Sequence, residues 1–453
     1  MPLWWRSIGR WVRKMDTPIC DFVRRYAQSN TLRLHMPGHK GVGPLGCEQL
    51  DITEIAGADS LYEAEGIIAQ SEQNASTLFG CPTFYSTEGS SQCIRAMLYL
   101  ATCGKNRKIL AARNVHKAFL SAAALLDLEV DWLFPEEEMA YLCCSVSVEA
   151  LEARLATCEE IPAAVYVTSP DYLGNLQPID ALADVCRRHG CLLLVDNAHG
   201  SYLKFLPGSL HPMDQGADLC CDSAHKTLPV LTGGAYLHIR DTELAKQAKN
   251  ALALFGSTSP SYLILQSLDA ANAQLADPSY QKRLVELCSL ADSVRQQLKQ
   301  HGIRAALGNE PLKITVYPRH YGYNGTEMAD ALRCSGIECE FADPDFLVLM
   351  LTPAITEADL QRLVDALTAL PHRREIERDP PLIGHPEKAF SIRQALLTPA
   401  ETIPVAEGLG RILAAATVGC PPAVPIVVCG ERIDENAIRC FRYYGITNCS
   451  VVK

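Results

Sequence analysis

Between about residues 70 and 240, short apolar runs alternate with segments of helical periodicity, and this rhythm constrains the chain more than any other feature. Residues 163–168 (AAVYVT), 191–195 (CLLLV) and 218–221 (DLCC) carry no alternating polar face. They read as strands buried on both sides, as strands of a parallel sheet are. Residues 179–189 form an amphipathic helix between the first two, and Gly190 is placed to cap its C-terminus. The expected fold class is therefore α/β, a mostly parallel sheet covered by helices. Open sheets of this kind bind ligands beyond the carboxyl ends of their strands, so the residues that follow each apolar run hold the candidate chemistry.

Two such segments stand out. Asp196-Asn197-Ala198-His199-Gly200 follows the Leu-rich strand, and Ser223-Ala224-His225-Lys226-Thr227 follows the next one. They bring a carboxylate and a lysine to one edge. Pyridoxal phosphate (PLP) needs both, a lysine amine for a Schiff base and a carboxylate to keep the pyridine nitrogen protonated. Lys226 suits the first role and Asp196 the second, although each alone also fits a solvated loop lysine or a helix cap. The third element is the small-residue turn Glu88-Gly89-Ser90-Ser91, which opens a helical pattern over 92–102. Free N–H groups and the dipole at a helix start form an anion site, and the serine hydroxyls add donors for a phosphate. By itself such a turn is also an ordinary N-cap.

At 453 residues the chain exceeds what one core supports. We expect an N-terminal extension and helix over 1–29, a PLP-binding large domain over 30–256, a smaller α+β domain over 257–372, and a linker with a small C-terminal domain over 373–453. A net charge of −11 argues against a nucleic-acid partner. The 19 cysteines are odd in number, include the adjacent pairs 143/144 and 220/221, and never take C-x-x-C spacing, which suits reduced thiols and gives no metal site. Residues 1–14 lack the apolar run of a signal peptide and read as an extension upstream of Met15, with a short amphipathic surface helix as the other reading. No stretch has the ~20 apolar residues of a membrane helix. A cytoplasmic protein is expected.

The motifs occur in an order that resembles the ornithine/lysine/arginine decarboxylases of bacterial type, PLP enzymes of fold type I, the aspartate-aminotransferase-like class. The resemblance runs from about residue 30 to 435. It passes through His35-Met36-Pro37-Gly38-His39-Lys40-Gly41, Asp51-Ile52-Thr53-Glu54, Gly89-Ser90-Ser91, Asn114-Val115-His116-Lys117, Thr168-Ser169-Pro170, both segments above, Ser257 to Tyr262, and Gly430-Glu431-Arg432-Ile433. It is similar to the short biosynthetic form, without a receiver-like N-terminal domain. The resemblance implies that His116 stacks on the cofactor ring and serves proton transfer, that Ala198 packs on the other face with His199 nearby, and that Ser223 and His225 contact the cofactor beside Lys226. It implies further that the segment around Ser259 reaches a neighbouring subunit's phosphate, so that a homodimer with shared active sites is expected. The implied reaction is decarboxylation of arginine, lysine or ornithine. A fold type I aminotransferase or lyase, and a non-catalytic PLP-binding protein, are the alternatives.

Departures accompany the resemblance. Asn197 stands where the family usually has Glu, Glu88 and Asp171 stand where it has uncharged residues, and residues 420–425 read CPPAVP in place of a Tyr-Pro-Pro-Gly-Ile-Pro pattern. Glu88 and Asp171 are expected in loops near the site, as modifiers of substrate choice or as plain surface acids. Recognition of the substrate's cationic tip needs a carboxylate at the right depth, for which Asp171, Glu340 and Asp343 are candidates.

Overall fold

The structure is a computed structural model that describes residues 15–135, 141–306, 309–377, 380–416 and 423–453. The readings of residues 1–14 and of Cys420-Pro421-Pro422 lie outside the described residues.

Two helices, α1 (Pro18–Gln28) and α2 (Ile67–Phe79), precede a seven-stranded sheet. Its strands are β1 (Thr83–Ser86), β2 (Lys108–Ala112), β3 (Glu129–Leu133), β4 (Ala164–Thr168), β5 (Leu192–Asp196), β6 (Leu219–Asp222) and β7 (Ala235–Ile239). The spatial order is β1-β7-β6-β5-β4-β2-β3. Every pairing from β6 to β3 is parallel, whereas β7 is antiparallel to both β6 and β1. Two antiparallel steps restore direction, so β1 runs the same way as β6 and its carboxyl end joins the same sheet edge.

The apolar runs form strands because both faces are covered. On β2, Ile109 and Ala111 pack with α3 (Ser90–Thr102) and α4 (Lys117–Leu126), while Leu110 and Ala112 join α5 (Val148–Ala156) and α6 (Ile179–His189) on the other face. β5 and β6 divide in the same way, Leu194 and Cys221 to one side, Leu193, Val195 and Cys220 to the other. At roughly 25 cal/mol per Å² of apolar area removed from water, such two-sided burial outweighs the weak β preference of Leu and Cys. Gly190 ends α6 in the left-handed region, φ +75°, where a glycine fits without a Cβ clash.

A second sheet of three antiparallel strands, β8 (Lys313–Val316), β9 (Phe341–Ala342) and β10 (Leu347–Met350), packs with the helices Pro278–Gln300 and Glu357–Thr368. A third of two strands, β11 (Ala400–Pro404) and β12 (Asn448–Val452), lies in the C-terminal region. All described cysteines are free. Among the described residues no helix is long and apolar enough to cross a membrane.

The retained part of the 420–425 departure has a backbone consequence. Ala423 lies at φ +61° and its carbonyl accepts a hydrogen bond from the Lys117 N–H at the start of α4. The left-handed region costs a Cβ-bearing residue about 1 kcal/mol, and the family pattern has Gly there. Ala423→Gly is expected to raise stability by ~0.5–1 kcal/mol, which a thermal melt of the two proteins checks.

Candidate active site

The register of the central strands aligns their chemistry. Thr168 on β4 is paired with Asp196 on β5, and Asp196 with Cys221 on β6. One residue beyond β6, Ser223 leads into the short helix α7 (Ala224–Thr227), which carries Lys226. The turn after β1 delivers Gly89 and Ser90 to the same edge, and the turn after β2 delivers Asn114 and His116. These groups enclose a cavity of about 230 Å³ lined by Ser90, His116, Asp196, Ala198, His199 and Lys226, with Thr168, Tyr172 and Glu340 at its borders. A larger cavity of about 560 Å³ beside Arg295 and Arg304 contains none of them. Size is therefore a poorer guide here than chemistry.

Asp196 is buried. It accepts hydrogen bonds from the Tyr166 hydroxyl at 3.2 Å and the Ala198 N–H at 3.2 Å, and among the described residues it has no ion-pair partner within 4 Å. Burial raises its carboxyl above the ordinary range, against the opposing effect of Lys226. A buried carboxylate facing a cavity without a bonded cation fits a cationic ring nitrogen. Lys226 lies in the same low-dielectric surroundings, and burial lowers its amine from the ordinary 10.5. Its Nζ is 3.0 Å from His199 Nε2.

His116 is the N-cap of α4. Its Nδ1 accepts from the Ala118 N–H at 3.1 Å, which leaves the ring proton on Nε2. Burial, then the nearby Lys226 charge, lowers it to about 4, so the ring is neutral at physiological pH. Gly89, at φ +72°, begins α3 and no side chain caps the helix, so its first N–H groups are open to an anion. The Ser223 hydroxyl donates to Ser90 Oγ at 2.7 Å beside this turn. Thr168 Oγ1 and Asn114 Oδ1, both at the cavity, are buried polar atoms without a protein partner. An uncapped helix start, an unpaired carboxylate, a lysine and orphaned polar atoms suit the phosphate, ring nitrogen, aldehyde and hydroxyl of PLP.

Not every expected residue reaches the cavity. Ser91 lies one position along α3, outside the lining. His225 Nδ1 donates to the Gly234 carbonyl at 3.0 Å instead. Ser259 is exposed and lies outside the cavity of its own chain. Two acidic expectations need correction, those for Asp171 and Asp343. Asp171 is not a surface acid: it is 1% exposed, and its carboxylate accepts from the Leu173 N–H, the Asn175 N–H and Asn175 Nδ2 at 2.8–2.9 Å, all within its own turn. Asp343 likewise accepts from the Asp345 and Phe346 N–H groups. Glu88 is exposed and receives the Ser257 N–H. Of the three carboxylates considered for the substrate's tip, Glu340 alone borders the cavity, and it accepts from the Tyr172 hydroxyl at 3.0 Å.

Sequence reasoning missed Lys313, a buried lysine of β8 whose Nζ is 3.1 Å from His199 Nδ1. The available signal was a lysine inside an apolar strand. Asn197 also acquires a reason. Its Nδ2 donates to Asp222 Oδ1 at 2.6 Å, and Asp222 Oδ2 faces His211 Nε2 at 3.1 Å and His238 Nε2 at 3.3 Å, all fully buried. A Glu at 197 would set a second carboxylate against Asp222. Burial opposes ionisation of Asp222, but the two imidazoles outweigh it and hold the carboxyl low; Asp222 in turn outweighs burial at His238 and raises it above 6.5. A raised folded-state value means that His238 contributes its stability fully below its unfolded value near 6.5 and loses it as pH rises through the folded value. Melting temperature is therefore expected to fall as pH climbs above 6.5, and His238→Gln to lower the melting temperature at pH 6 and flatten that decline.

The fold is that of the PLP-dependent enzymes of fold type I. Lysine decarboxylase LdcF of Francisella novicida superposes with a TM-score of 0.79 at 17% identity, covering 98% of this chain and 82% of that one. A lysine-to-alanine variant of the serine palmitoyltransferase of S. paucimobilis, with a bound PLP–myriocin aldimine, superposes with a TM-score of 0.51 at 17% identity over 66% of this chain and 74% of that one. The chain itself belongs to the Orn/Lys/Arg decarboxylase family: residues 17–315 match the family's major domain and 374–449 its C-terminal domain. A curated relative, arginine decarboxylase of Bacillus subtilis, is 31% identical over 93% of this chain and 92% of its own length.

Proposed function

We propose that the protein is a PLP-dependent decarboxylase of a basic amino acid, arginine or lysine before ornithine, that acts as a homodimer in the cytoplasm. The observation that carries this reading is the buried, unpaired Asp196 facing the same cavity as Lys226. When bound, PLP supplies an electron sink for the charge left on Cα as CO2 departs. Lys226 holds the cofactor covalently, and Asp196 keeps a proton on the ring nitrogen. The uncapped start of α3 with Ser90, and Ser223 beside it, takes the phosphate. His116 and Ala198 line the cavity where the ring would be held, and a side chain larger than Ala198 would fill that space. His116 is neutral, and giving up its Nε2 proton would leave an imidazolate, so Lys226 would be the better proton donor to Cα, with His116 positioned beside it. Glu340, supported by Tyr172, is the carboxylate placed for the cationic end of the substrate, and the reduced cysteines suit a cytoplasmic setting. The likeness to the arginine and lysine decarboxylases supports the substrate class.

Borohydride reduction of the PLP-reconstituted protein followed by peptide mass mapping is expected to place the pyridoxyl mass on Lys226; a label elsewhere, or none, overturns the cofactor assignment. For the tip, Glu340→Gln is expected to raise KM for the preferred amino acid about 10-fold with a smaller effect on kcat, as removal of one charged contact in uniform binding does. An unchanged KM removes Glu340 from recognition.

A further inference from the structure

Three basic groups stand in a row that runs from the cavity lining inward. Lys226 Nζ is 3.0 Å from His199 Nε2, and His199 Nδ1 is 3.1 Å from Lys313 Nζ. His199 and Lys313 are 6% and 4% exposed, so water does not rearrange the contact. Donor counting limits the protonation states. A neutral imidazole has one N–H and one lone pair, and an ammonium has only donors. Both lysines therefore cannot be charged against a neutral His199: one faces the lone pair as an ammonium, and the other accepts the N–H as a free amine. An imidazolium is disfavoured first by burial and then by the two lysines.

The surroundings decide which lysine carries the charge. Lys313 Nζ also donates to the Asp171 carbonyl at 3.1 Å, an atom that only accepts. It lies in the field of Glu310, a buried residue whose Oε1 takes the Tyr202 hydroxyl and whose Oε2 has no protein partner, of Asp171 and, in common with Lys226, of Glu340. Lys226 has His199 as its only hydrogen-bond partner among the described residues, and its field comes from Asp196, Glu340 and Cys221. His199 also lies near His116 and His225, and the Tyr172 ring packs on it edge to face with centroids 5.0 Å apart. The charge thus belongs on Lys313.

We propose that Lys313 is a positioning residue for Lys226: its ammonium occupies His199 Nδ1, fixes the imidazole proton on Nε2, and so holds Lys226 as the free amine that acts as a nucleophile. The inference rests on the PLP reading above and adds to it a second lysine, supplied by the small sheet, that sets the reactivity of the first. It also gives His199 a defined tautomer and a reason for a lysine buried in β8.

The test reads the amine itself, without turnover. In cofactor-free protein, carbamylation of Lys226 by cyanate is followed against pH by peptide mass spectrometry. The wild-type midpoint is expected below that of an ordinary lysine, the direction in which burial moves it. Lys313→Met frees His199 to present its lone pair to Lys226 and is expected to raise the midpoint by about one unit, a roughly tenfold slower reaction at pH 8. Glu310→Gln, which retains the acceptor for Tyr202 but removes the anion beside Lys313, is expected to shift it in the same direction and stands as the test if the Met variant does not fold. A wild-type midpoint at the ordinary lysine value, or folded variants whose midpoint does not move, overturns the proposal. Wild-type protein that takes up no PLP overturns the cofactor reading instead, and uptake of PLP with unmoved midpoints overturns the relay alone.

Discussion

Lys226→Ala is expected to abolish the visible absorbance of protein-linked PLP and to lower kcat by on the order of 10⁴-fold or more, the scale seen when a covalent catalytic group is removed. The geometry makes the loss hard to compensate. Lys226 enters from α7 directly beyond β6 and borders the cavity beside His199. Lys313 is fully enclosed, and its amine is occupied by His199 and the Asp171 carbonyl. The fold should survive, because α7 packs into the core through Ala224 and Thr227, whereas the lysine side chain reaches into the cavity and makes one hydrogen-bond contact there among the described residues. Absorbance, turnover and melting temperature measured together check all three statements. A variant that retained the chromophore would show that another amine holds the cofactor.

Asp196→Asn is expected to leave PLP binding largely in place while lowering kcat by on the order of 10³-fold, within the range for loss of a positioned acid or base. The substitution is isosteric: the Ala198 N–H and the Tyr166 hydroxyl bond different carboxylate oxygens, so the amide oxygen keeps the Ala198 N–H while the amide NH2 donates to the Tyr166 hydroxyl, which turns to accept. What disappears is the negative charge. An amide does not hold a proton on the ring nitrogen, so the ring accepts electrons poorly although it remains in place. Binding by absorbance titration and kcat by product formation separate the two effects. Normal turnover would remove Asp196 from the pyridinium role.

The parts of the site that could be read in the sequence are those that follow an apolar run at a strand end. Asp196 and Lys226 lie beside continuous hydrophobic strands, and strand direction alone carries them to one edge. Gly89 and Ser90 were legible for a related reason, a small-residue turn entering a helix. What could not be read depends on burial or on distant pairing. Asp171 looks like a loop acid in the sequence, and only its three local donors show that it builds a turn. Lys313 belongs to a different sheet, and no local pattern connects it to His199. Asn197 was visible as a departure, but its reason, the Asp222 carboxylate between two histidines, is contributed by β6, β7 and the connection that carries His211. The positive φ of Ala423 was similarly hidden, although the glycine of the family pattern pointed to it.

Sequence and site together leave one bond as the central question. If the Cα–carboxylate bond is held perpendicular to the ring, the enzyme releases CO2; if the Cα–H bond is held there, the same residues support transamination or racemisation. The most direct measurement supplies the PLP-reconstituted protein with 1-¹⁴C-labelled arginine, lysine and ornithine in turn and quantifies labelled CO2 and the amine product in the same reaction. The account predicts equal molar amounts of CO2 and of agmatine or cadaverine from arginine or lysine. Cofactor uptake with a keto acid and no labelled CO2 would contradict it.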